Sequence, residues 1–276
     1  MATLKASSQI ALSQDPNDQV SSLLSTPTSI VIAGTSAGDG FITALDKSGA
    51  TTLWSTRLGD SADDIATSVA KDNAGNYWVL GASATVPEAT PAPALPAGTL
   101  NPGNVVVESS TALATITKLN VWKVNSKGSL VNTYSFDQFK SAILPQSITY
   151  SSGKFLITGA IASSSNNHFS ILVDANGTFG VLKTSQVNSQ TKSVGKEIKT
   201  TLSLWKSIVT STAIKGLLSW KPKPDSNVLL RYDVKGKTVL AGYISSAPIR
   251  DFVYEKSIGI VVLTEGPSGY AISVIK

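Results

Sequence analysis

The sequence predicts an all-β fold, a single β-propeller of five four-stranded blades. Two observations lead to this prediction: a short phrase that recurs along the chain, and a regular set of strand-like segments around each copy. The phrase is a hydrophobic strand, then Asp or Asn, two further residues and Gly. It occurs at 41–49, 121–128, 169–177 and 228–236. Recurrence of a strand-and-turn unit at such spacing is typical of propellers and related arrays.

Each copy of the phrase belongs to a set of four strand-like segments. A second strand, usually closing on Gly, precedes the phrase, and an inner strand of alternating small and apolar residues precedes that one. An outer strand follows the turn. Four antiparallel strands joined by short turns make a propeller blade. The predicted second strands are 30–34, 77–81, 155–159, 208–213 and 260–266, and the predicted outer strands are 51–56, 130–134, 178–182 and 238–243.

The fifth unit contains the strand 270–276 but lacks an outer strand of its own. Residues 2–10 have the pattern of such a strand. We therefore expect the N-terminal strand to pair with the C-terminal blade, which closes the ring and removes an exposed sheet edge. An incomplete ring or a β-sandwich is the alternative. The predicted blades of this single domain, 1–276, are 20–58, 59–135, 136–185, 186–245, and 246–276 together with 1–12.

The composition favours a location outside the cell or in the cell envelope. Only 15% of the 276 residues are charged, and Ser, Thr, Asn and Gly are abundant. The chain has no cysteine, which excludes disulfides, thiolate catalysis and Cys-based metal sites. Its one histidine, His168, leaves little room for a multi-His metal centre. The N-terminus lacks the basic and apolar regions of a signal peptide, so either the protein is cytosolic or Met1 stands where a signal peptide was removed. The composition favours the second alternative.

The charge distribution argues against a nucleic-acid partner. The net charge is +5, yet no cluster of basic residues is dense enough to bind a phosphate backbone. No apolar run approaches the length of a membrane span, and 258–263 has the length of a buried strand. Phosphate-binding loops, nucleophile elbows and zinc-protease motifs are all missing. We therefore expect no cofactor and no metal, and the oligomeric state stays open.

One stretch of the chain carries a family resemblance. Residues 38–49 lead through 54–59 and 63–69 to the hairpin 72–76 and the strand 77–81. Over about residues 38–83 the sequence resembles the bacterial β-propeller repeat of secreted and surface proteins, whereas units three to five share only its strand and turn skeleton. The resemblance implies the propeller fold and a surface location. Such repeats occur in proteins of unlike activity, so it implies no particular reaction.

The long loops indicate which face of the propeller carries function. The tight Asp/Asn-x-x-Gly turns all lie on one face, which we call the turn face, and their residues are those that a hairpin requires. Longer loops lie on the opposite, long-loop face, where function is expected. The longest is a Pro-rich insertion at about 85–114. It is either a lid or partner-docking arm, or a flexible insertion.

Six residues of the long-loop face are candidates for ligand binding: Asp39, Asp64, Asn167, His168, Trp220 and Asp251. Trp220 lies among lysines and is suited to stack on a sugar ring or a partner side chain, or to cover the neighbouring blade. Asp64 and Asp251 each directly precede an inner strand. The connections into inner strands carry further acids: Asp15, Asp18, Asp63, Asp137 and Glu197. Carboxylates near turns also serve as caps or as solvated charges.

Three functions remain open from the sequence. The favoured one is a non-catalytic binding module that presents its long-loop face to a protein or glycan. The second is a glycoside hydrolase, in which Asp64 and Asp251 supply the two carboxylates that such chemistry needs; five-bladed propeller glycosidases place acids in a central funnel, but their strand motifs are not matched here. The third is a structural subunit of a surface assembly. Outside the glycosidase hypothesis, no residue is assigned a catalytic role.

Overall fold

The computed structural model describes residues 2–13, 15, 17–60, 63–85, 115–163, 167–186, 196–210, 226–267 and 269–275. These residues form strands and turns, and no helix among them is long and apolar enough to cross a membrane. The strands are β1 (Ala2–Thr3), β2 (Ala6–Ala11), β3 (Gln19–Ser25), β4 (Ile30–Ser36), β5 (Asp39–Leu45), β6 (Thr52–Leu58), β7 (Asp64–Lys71), β8 (Tyr77–Thr85), β9 (Thr115–Val124), β10 (Leu130–Phe136), β11 (Ile143–Ser151), β12 (Lys154–Ile161), β13 (His168–Asp174), β14 (Lys183–Ser185), β15 (Glu197–Lys199), β16 (Leu204–Thr210), β17 (Ser226–Tyr232), β18 (Val239–Ser245), β19 (Ile249–Glu255), β20 (Gly259–Gly266) and β21 (Gly269–Ile275).

Five sheets make five blades, which confirms the predicted propeller. Blade 1 is β3–β6, blade 2 is β7–β10, blade 3 is β11–β14, blade 4 is β15–β18, and blade 5 is β19–β21 followed by β2. Within each blade the four strands pair antiparallel in chain order from the inner to the outer strand, except that β2 supplies the outer strand of blade 5. Loops between second and third strands, and loops leading into the next blade, therefore share the long-loop face.

The N-terminal segment closes the ring, as predicted, but it does so with two strands instead of one. β2 pairs antiparallel with β21 and completes blade 5. β1 pairs parallel with β18 of blade 4, where Ala2 lies opposite Ala241 and the Leu4 N–H donates to the Gly242 carbonyl at 2.9 Å. The prediction of one continuous strand over 2–10 was therefore wrong at its start. Residues 2–11 join blades 4 and 5.

Two predicted strands are displaced in the structure. The outer strand of blade 3 was predicted at 178–182 but lies later in the chain, in β14 (Lys183–Ser185). The reason is that the Phe179 ring turns inward and packs with its centroid 5.4 Å from that of Phe136 in blade 2. Phe179 keeps only an isolated bridge to Val173. The second strand of blade 4 was predicted at 208–213, whereas β16 already begins at Leu204. It begins there because the preceding turn closes at Ser203, whose carbonyl accepts a hydrogen bond from the Thr200 N–H. Residues 211–213 lie outside the described residues.

The recurrent Asp/Asn-x-x-Gly phrase forms the turn between the third and outer strands, as predicted. In each turn the glycine N–H donates a hydrogen bond to the backbone carbonyl of the Asp or Asn three residues earlier, at 2.9–3.0 Å, as in a four-residue β-turn. The glycines have φ between 68° and 90°, a region that L side chains rarely adopt. The turn therefore accounts for the repeated Gly. The four turns are Asp46–Gly49, Asn125–Gly128, Asp174–Gly177 and Asp233–Gly236.

The core lies between the blades. Hydrophobic clusters fill the junctions of blades 1 and 2, 2 and 3, 4 and 5, and 5 and 1. At the junction of blades 2 and 3, the rings of Trp78 and Phe155 stack with their centroids 4.3 Å apart, and both side chains are fully buried. Each blade is thus stabilised mainly by burial of apolar faces against its neighbours.

A glycine within the second strand, at the place where the sequence predicted the end of that strand, has a packing role in three blades. A Cβ atom at Gly81 would lie 2.0 Å from the Ile65 carbonyl oxygen of the inner strand and 2.3 Å from the Trp122 ring of the third strand. Gly34 and Gly159 are enclosed in the same way, each by a phenylalanine ring and an inner-strand carbonyl. Only glycine leaves room for the aromatic ring to cross the second strand at this point.

Side chains also link the inner strands of successive blades. The residue that accepts each bond directly follows an irregularity in the register of its inner strand, a position at which a bulge redirects a side chain. The bonds run from the Leu23 N–H to Asp251 Oδ2 (2.6 Å), from the Val69 N–H to Ser22 Oγ (3.2 Å), and from the Ile148 N–H to Ser68 Oγ (3.3 Å). We call this set the inner-strand bonds. They join blade 5 to 1, 1 to 2 and 2 to 3.

On the turn face, an ion pair joins blade 5 to blade 1. The Glu255 carboxylate accepts hydrogen bonds from Lys47 Nζ at 2.7 Å and from Ser25 Oγ at 2.6 Å. These hydrogen bonds, the Lys47 one first, lower the pKa of Glu255 from 4.5 to about 2. Because the folded state holds the ionised form more tightly than the unfolded chain does, the pair stabilises the fold above pH 4.5, and this stabilisation is lost as the pH falls toward 2.

We expect Glu255→Gln to lower the free energy of unfolding at pH 7 by about 2 kcal/mol, after allowing for solvent screening of a partly exposed pair. The difference between wild type and variant should shrink steadily between pH 5 and pH 3, as measured by urea denaturation. Glu197→Gln is the matched control, because the Glu197–Lys206 pair is more exposed and joins two strands of one blade. A constant difference across this pH range would contradict the assignment.

Candidate functional site

The long-loop face carries a cleft at the junction of blades 5 and 1, which we call the 5/1 cleft. Its volume is about 270 Å³. It opens between the starts of the third strands β5 and β21, where the rings of Phe41 and Tyr270 stack with their centroids 6.2 Å apart. The residues that line it are Asp18, Ser36, Ala37, Asp39, Gly40, Phe41, Thr43, Ser55, Arg57 and Tyr270.

Asp39 and Arg57 form an ion pair in the wall of the cleft. Asp39 is the first residue of β5 and follows a tight turn in which Ala37 and Gly38 both have positive φ. Its side chain is only 9% exposed, whereas the Arg57 side chain, from the outer strand β6, is 73% exposed. The buried carboxylate thus holds the guanidinium at the rim. Among the described residues Asp39 is the one ion-pair partner of Arg57, so further N–H donors of its exposed guanidinium can face a ligand.

Asp18 contributes a carboxylate oxygen that has no partner. Its Oδ2 accepts a hydrogen bond from the Ser13 hydroxyl, while its Oδ1 is buried and makes no hydrogen bond in the described part of the chain. Burial, and secondarily the negative charge of Asp18, raise the pKa of the Tyr270 phenol to about 12. Tyr270 therefore remains a hydrogen-bond donor at neutral pH. A buried oxygen without a partner is costly, and an acceptor in this position is suited to a ligand hydroxyl or amine.

A second cavity, of about 280 Å³, continues along the same junction toward the propeller axis. Asp18 and Gln19 are consecutive residues, and they line the first and the second cavity respectively. In the second, Glu265 accepts hydrogen bonds from Arg250 at 2.9 Å and from the Val20 N–H at 2.9 Å. The junction of blades 5 and 1 therefore presents a row of carboxylates, guanidinium groups and hydroxyls.

Asp64, one of the two carboxylates of the glycosidase hypothesis, lies in a buried network of blade 2. Only 1% of it is exposed. Its carboxylate accepts hydrogen bonds from the Ser83 hydroxyl, from the Asn120 side-chain amide at 3.4 Å, and from the Asp60 N–H at 3.0 Å. The Ser135 hydroxyl donates in turn to Asn120 at 2.8 Å. The network reaches all four strands of the blade, which indicates a structural role.

Asp251, the other carboxylate of that hypothesis, belongs to the inner-strand bonds. Besides the Leu23 N–H, it accepts hydrogen bonds from the Phe252 N–H at 2.8 Å and from Lys196 Nζ at 2.7 Å. Burial raises the pKa of Asp251, and the Lys196 ammonium partly opposes that rise. Asp64 and Asp251 share no hydrogen-bond partner among the described residues. The structure therefore gives each carboxylate its own set of partners.

Asn167 and His168 do not line the 5/1 cleft, since they lie at the start of β13 in blade 3, where His168 is half-buried and pairs with Ala160 of β12. The candidate Trp220 and residues 86–114 lie outside the described residues. Of the five predicted ligand-binding residues that the structure describes, only Asp39 lines the cleft. Among the described residues, no three His, Cys, Asp or Glu side chains are grouped so that they could hold a metal ion.

The sequence prediction missed two contributors to the cleft, Arg57 and Tyr270, and did not select Asp18 from among the acids. A signal for Tyr270 was present. The third strands begin at Asp39 and Gly269, so Phe41 is the third residue of β5 and Tyr270 is the second residue of β21. Because successive side chains of a strand point to opposite faces, these aromatic residues lie on opposite faces of adjacent blades and meet in the junction between them.

Comparisons with known proteins add little beyond the architecture. No protein-family model matches the sequence, so the resemblance to bacterial propeller repeats has no such support. No curated protein sequence matches it either.

Solved structures with a similar course of the chain include three propeller-like proteins of low sequence identity. A subtype N10 neuraminidase-like protein of an A/little yellow-shouldered bat strain from Guatemala is 9% identical, with 94% of this chain and 80% of that chain covered and a TM-score of 0.39. A luciferin-regenerating enzyme is 12% identical (92% and 77% covered, TM-score 0.38). The Dos1 propeller is 11% identical (93% and 68% covered, TM-score 0.37). Because these TM-scores are low, the evidence for the propeller fold is the strand pairing itself.

Proposed function

We propose that the protein is a non-catalytic binding module of the cell exterior or envelope, and that it binds a glycan or a polar protein segment in the 5/1 cleft. The observation that carries the proposal is that the same cleft is lined by Asp18, whose Oδ1 has no hydrogen-bond partner in the described part of the chain, and by Arg57, whose side chain is exposed. The Asp18 oxygen is an acceptor that needs a hydrogen-bond donor, and the Arg57 guanidinium offers donors. A sugar hydroxyl both donates and accepts, so neighbouring hydroxyls of a glycan are suited to this pair.

The aromatic wall of the cleft supports the same ligand class. Phe41 and Tyr270 form a stacked pair at its edge, and the half-buried Tyr270 keeps its hydroxyl proton at neutral pH. Binding sites of this kind combine apolar surface with a few polar groups that fix orientation. A glycan presents C–H faces to the rings and hydroxyls to the charged groups. A polar peptide presents the same chemistry less regularly, so we place it second.

The hydrogen-bonding of the acids favours binding over catalysis. Asp39 is paired with Arg57, and Asp64 and Asp251 have the partners described above. Hydrolysis of a glycosidic bond by two carboxylates requires that both face one open site at about 5–10 Å from each other. Asp64 and Asp251 have separate structural roles, in the network of blade 2 and in the inner-strand bonds.

The proposal predicts that Arg57→Met and Asp18→Asn each weaken glycan binding about tenfold, or about 1.4 kcal/mol, because Arg57→Met removes donors to the ligand and Asp18→Asn replaces a charged acceptor with a weaker neutral amide. The measurement is a glycan-array screen of the wild type, followed by titration of the best ligand. Lys127→Met is the matched control, because it removes one positive charge from an exposed turn on the opposite face. It should leave the affinity unchanged.

A polysaccharide-hydrolysis assay runs beside the binding assay, with the Asp64→Asn/Asp251→Asn variant as its control. Turnover by the wild type that disappears in this variant would replace the proposal with the glycosidase. Binding that survives both Arg57→Met and Asp18→Asn would place the ligand outside the 5/1 cleft. If no glycan binds, a polar protein segment is the remaining ligand of the proposal, and a pull-down that compares wild type with Arg57→Met tests it.

A further inference from the structure

The turn face carries a cavity at a different junction, between blades 4 and 5, which we call the 4/5 pocket. Its volume is about 170 Å³. Trp205 from the start of β16 and Arg231 from the end of β17 line one side, and Tyr254 of β19 lines the other. The turn between β15 and β16 adds Leu202 and Ser203. The pocket is independent of the 5/1 cleft, which opens on the opposite face.

Arg231 is the charged residue among those that line this pocket, and its guanidinium has no anionic partner in the part of the chain that the structure describes. The Nε atom is buried and has no hydrogen-bond partner, and none of the ion pairs among the described residues includes Arg231. Its cross-strand neighbours are Trp205 and Ala241, so the sheet supplies no carboxylate on either side. A buried cationic N–H group without an acceptor is costly unless something fills the site.

The surroundings of Arg231 restrict the shape of an occupant. Its guanidinium carbon lies 5.8 Å from the centre of the Trp205 ring, a cation–π contact that orients the group. Exposed apolar side chains form the rim, since Leu202 is 75% exposed and Tyr254 is 44% exposed. A cavity of 170 Å³ corresponds to about six water molecules at roughly 30 Å³ each. That is the size of a small organic acid.

We propose that the 4/5 pocket binds an organic carboxylate with an apolar or ring-shaped body. The carboxylate pairs with the Arg231 guanidinium, whose planar set of donors matches two carboxylate oxygens. The body of the ligand lies against the Leu202 and Tyr254 side chains. A free acid and an acidic group at the end of a larger molecule present the same chemistry, and the pocket size favours the free acid.

The test uses phenylacetate as the probe, with phenylacetamide as its uncharged counterpart and inorganic phosphate as an anion without an apolar body. Binding is followed by calorimetry and by the change in tryptophan fluorescence. We expect saturable binding of phenylacetate to the wild type, and at least tenfold weaker binding of phenylacetamide and of phosphate. Arg231→Gln should weaken phenylacetate binding at least tenfold, whereas Arg231→Lys, which keeps the charge but loses the planar donors, should weaken it less.

Lys127→Gln is the matched control, because it removes one positive charge from an exposed turn of blade 2 on the same face and should leave phenylacetate binding unchanged. Thermal denaturation of each variant shows whether it is folded, since Arg231 also packs on Trp205. The proposal is overturned if the wild type shows no saturable binding, if folded Arg231→Lys and Arg231→Gln both bind like the wild type, or if phenylacetamide or phosphate binds as tightly as phenylacetate. None of these outcomes depends on whether the 5/1 cleft binds a glycan.

Discussion

Gly81→Ala is expected to lower the free energy of unfolding by roughly 3 kcal/mol, at the upper end of the usual cost of overpacking. The added methyl group would lie 2.0 Å from the Ile65 carbonyl oxygen and 2.3 Å from the Trp122 ring. Neither neighbour can move freely, because Ile65 belongs to the paired inner strand and Trp122 is only 1% exposed. Relief of the clash must therefore separate two strands of blade 2 or displace the indole from the junction with blade 1.

The matched control is Gly180→Ala in blade 3. There the nearest atom to a new Cβ is the Leu172 carbonyl oxygen at 3.4 Å, an ordinary contact distance, and the residue is exposed. We expect a change within about 0.5 kcal/mol. Urea denaturation of both variants checks the comparison. Equal effects at the two positions would show that loss of glycine flexibility, and not the enclosure by Trp122, decides the outcome.

Asp251→Leu is expected to lower the free energy of unfolding by about 3 kcal/mol. The substitution removes the acceptor for two backbone donors, the Leu23 N–H of blade 1 and the Phe252 N–H of its own blade. Both residues are buried, so water does not replace the lost bonds. Lys196 also loses its partner, but its side chain is 41% exposed and can be solvated.

Asp251→Asn separates the hydrogen bonds from the charge. Asparagine keeps a side-chain oxygen for the Leu23 N–H, so the cost at low pH should be below about 1 kcal/mol. Because burial raises the pKa of Asp251 above 3.8, the folded state binds the proton more tightly than the unfolded chain. The stability that Asp251 contributes is thus greatest below that value and falls as the pH rises through its folded pKa. Denaturation at a series of pH values should show that the free energy of unfolding of Asp251→Asn rises relative to that of the wild type as the pH increases. A rise of the wild type relative to the variant would contradict this sign.

The features that the sequence predicted correctly depend on local physics. Strand alternation and the Asp/Asn-x-x-Gly turns are set by neighbouring residues, and they located the five blades. The outer strand of blade 3 was misplaced because Phe179 responds to Phe136 in another blade, 43 positions away. The parallel pairing of Ala2 with Ala241 was missed for the same reason. Contacts between distant segments leave no periodic signal in the sequence.

The same distinction explains how far the candidate site could be predicted. Asp39 was found because it lies in a loop of the long-loop face. Asp64 and Asp251 were each expected directly before an inner strand; Asp64 is the first residue of β7, whereas Asp251 lies within β19 as its third residue. Their partners were not predictable, since Asp64 contacts Asn120 and Asp251 contacts Leu23, both far away in the chain. Whether a carboxylate faces a ligand or is consumed by structural hydrogen bonds depends on such partners.

The pairing of the N-terminal segment has a consequence for biosynthesis. β2 can find its place only after β21 has emerged from the ribosome, and β1 must wait for β18. A nascent chain therefore carries β1 and β2 unpaired until β18 and β21 have been synthesised, while blades 1 to 3 can already assemble in order. Unpaired strands on a growing polypeptide are prone to association with other chains. Docking of residues 2–11 removes both of these strands from that risk in one step.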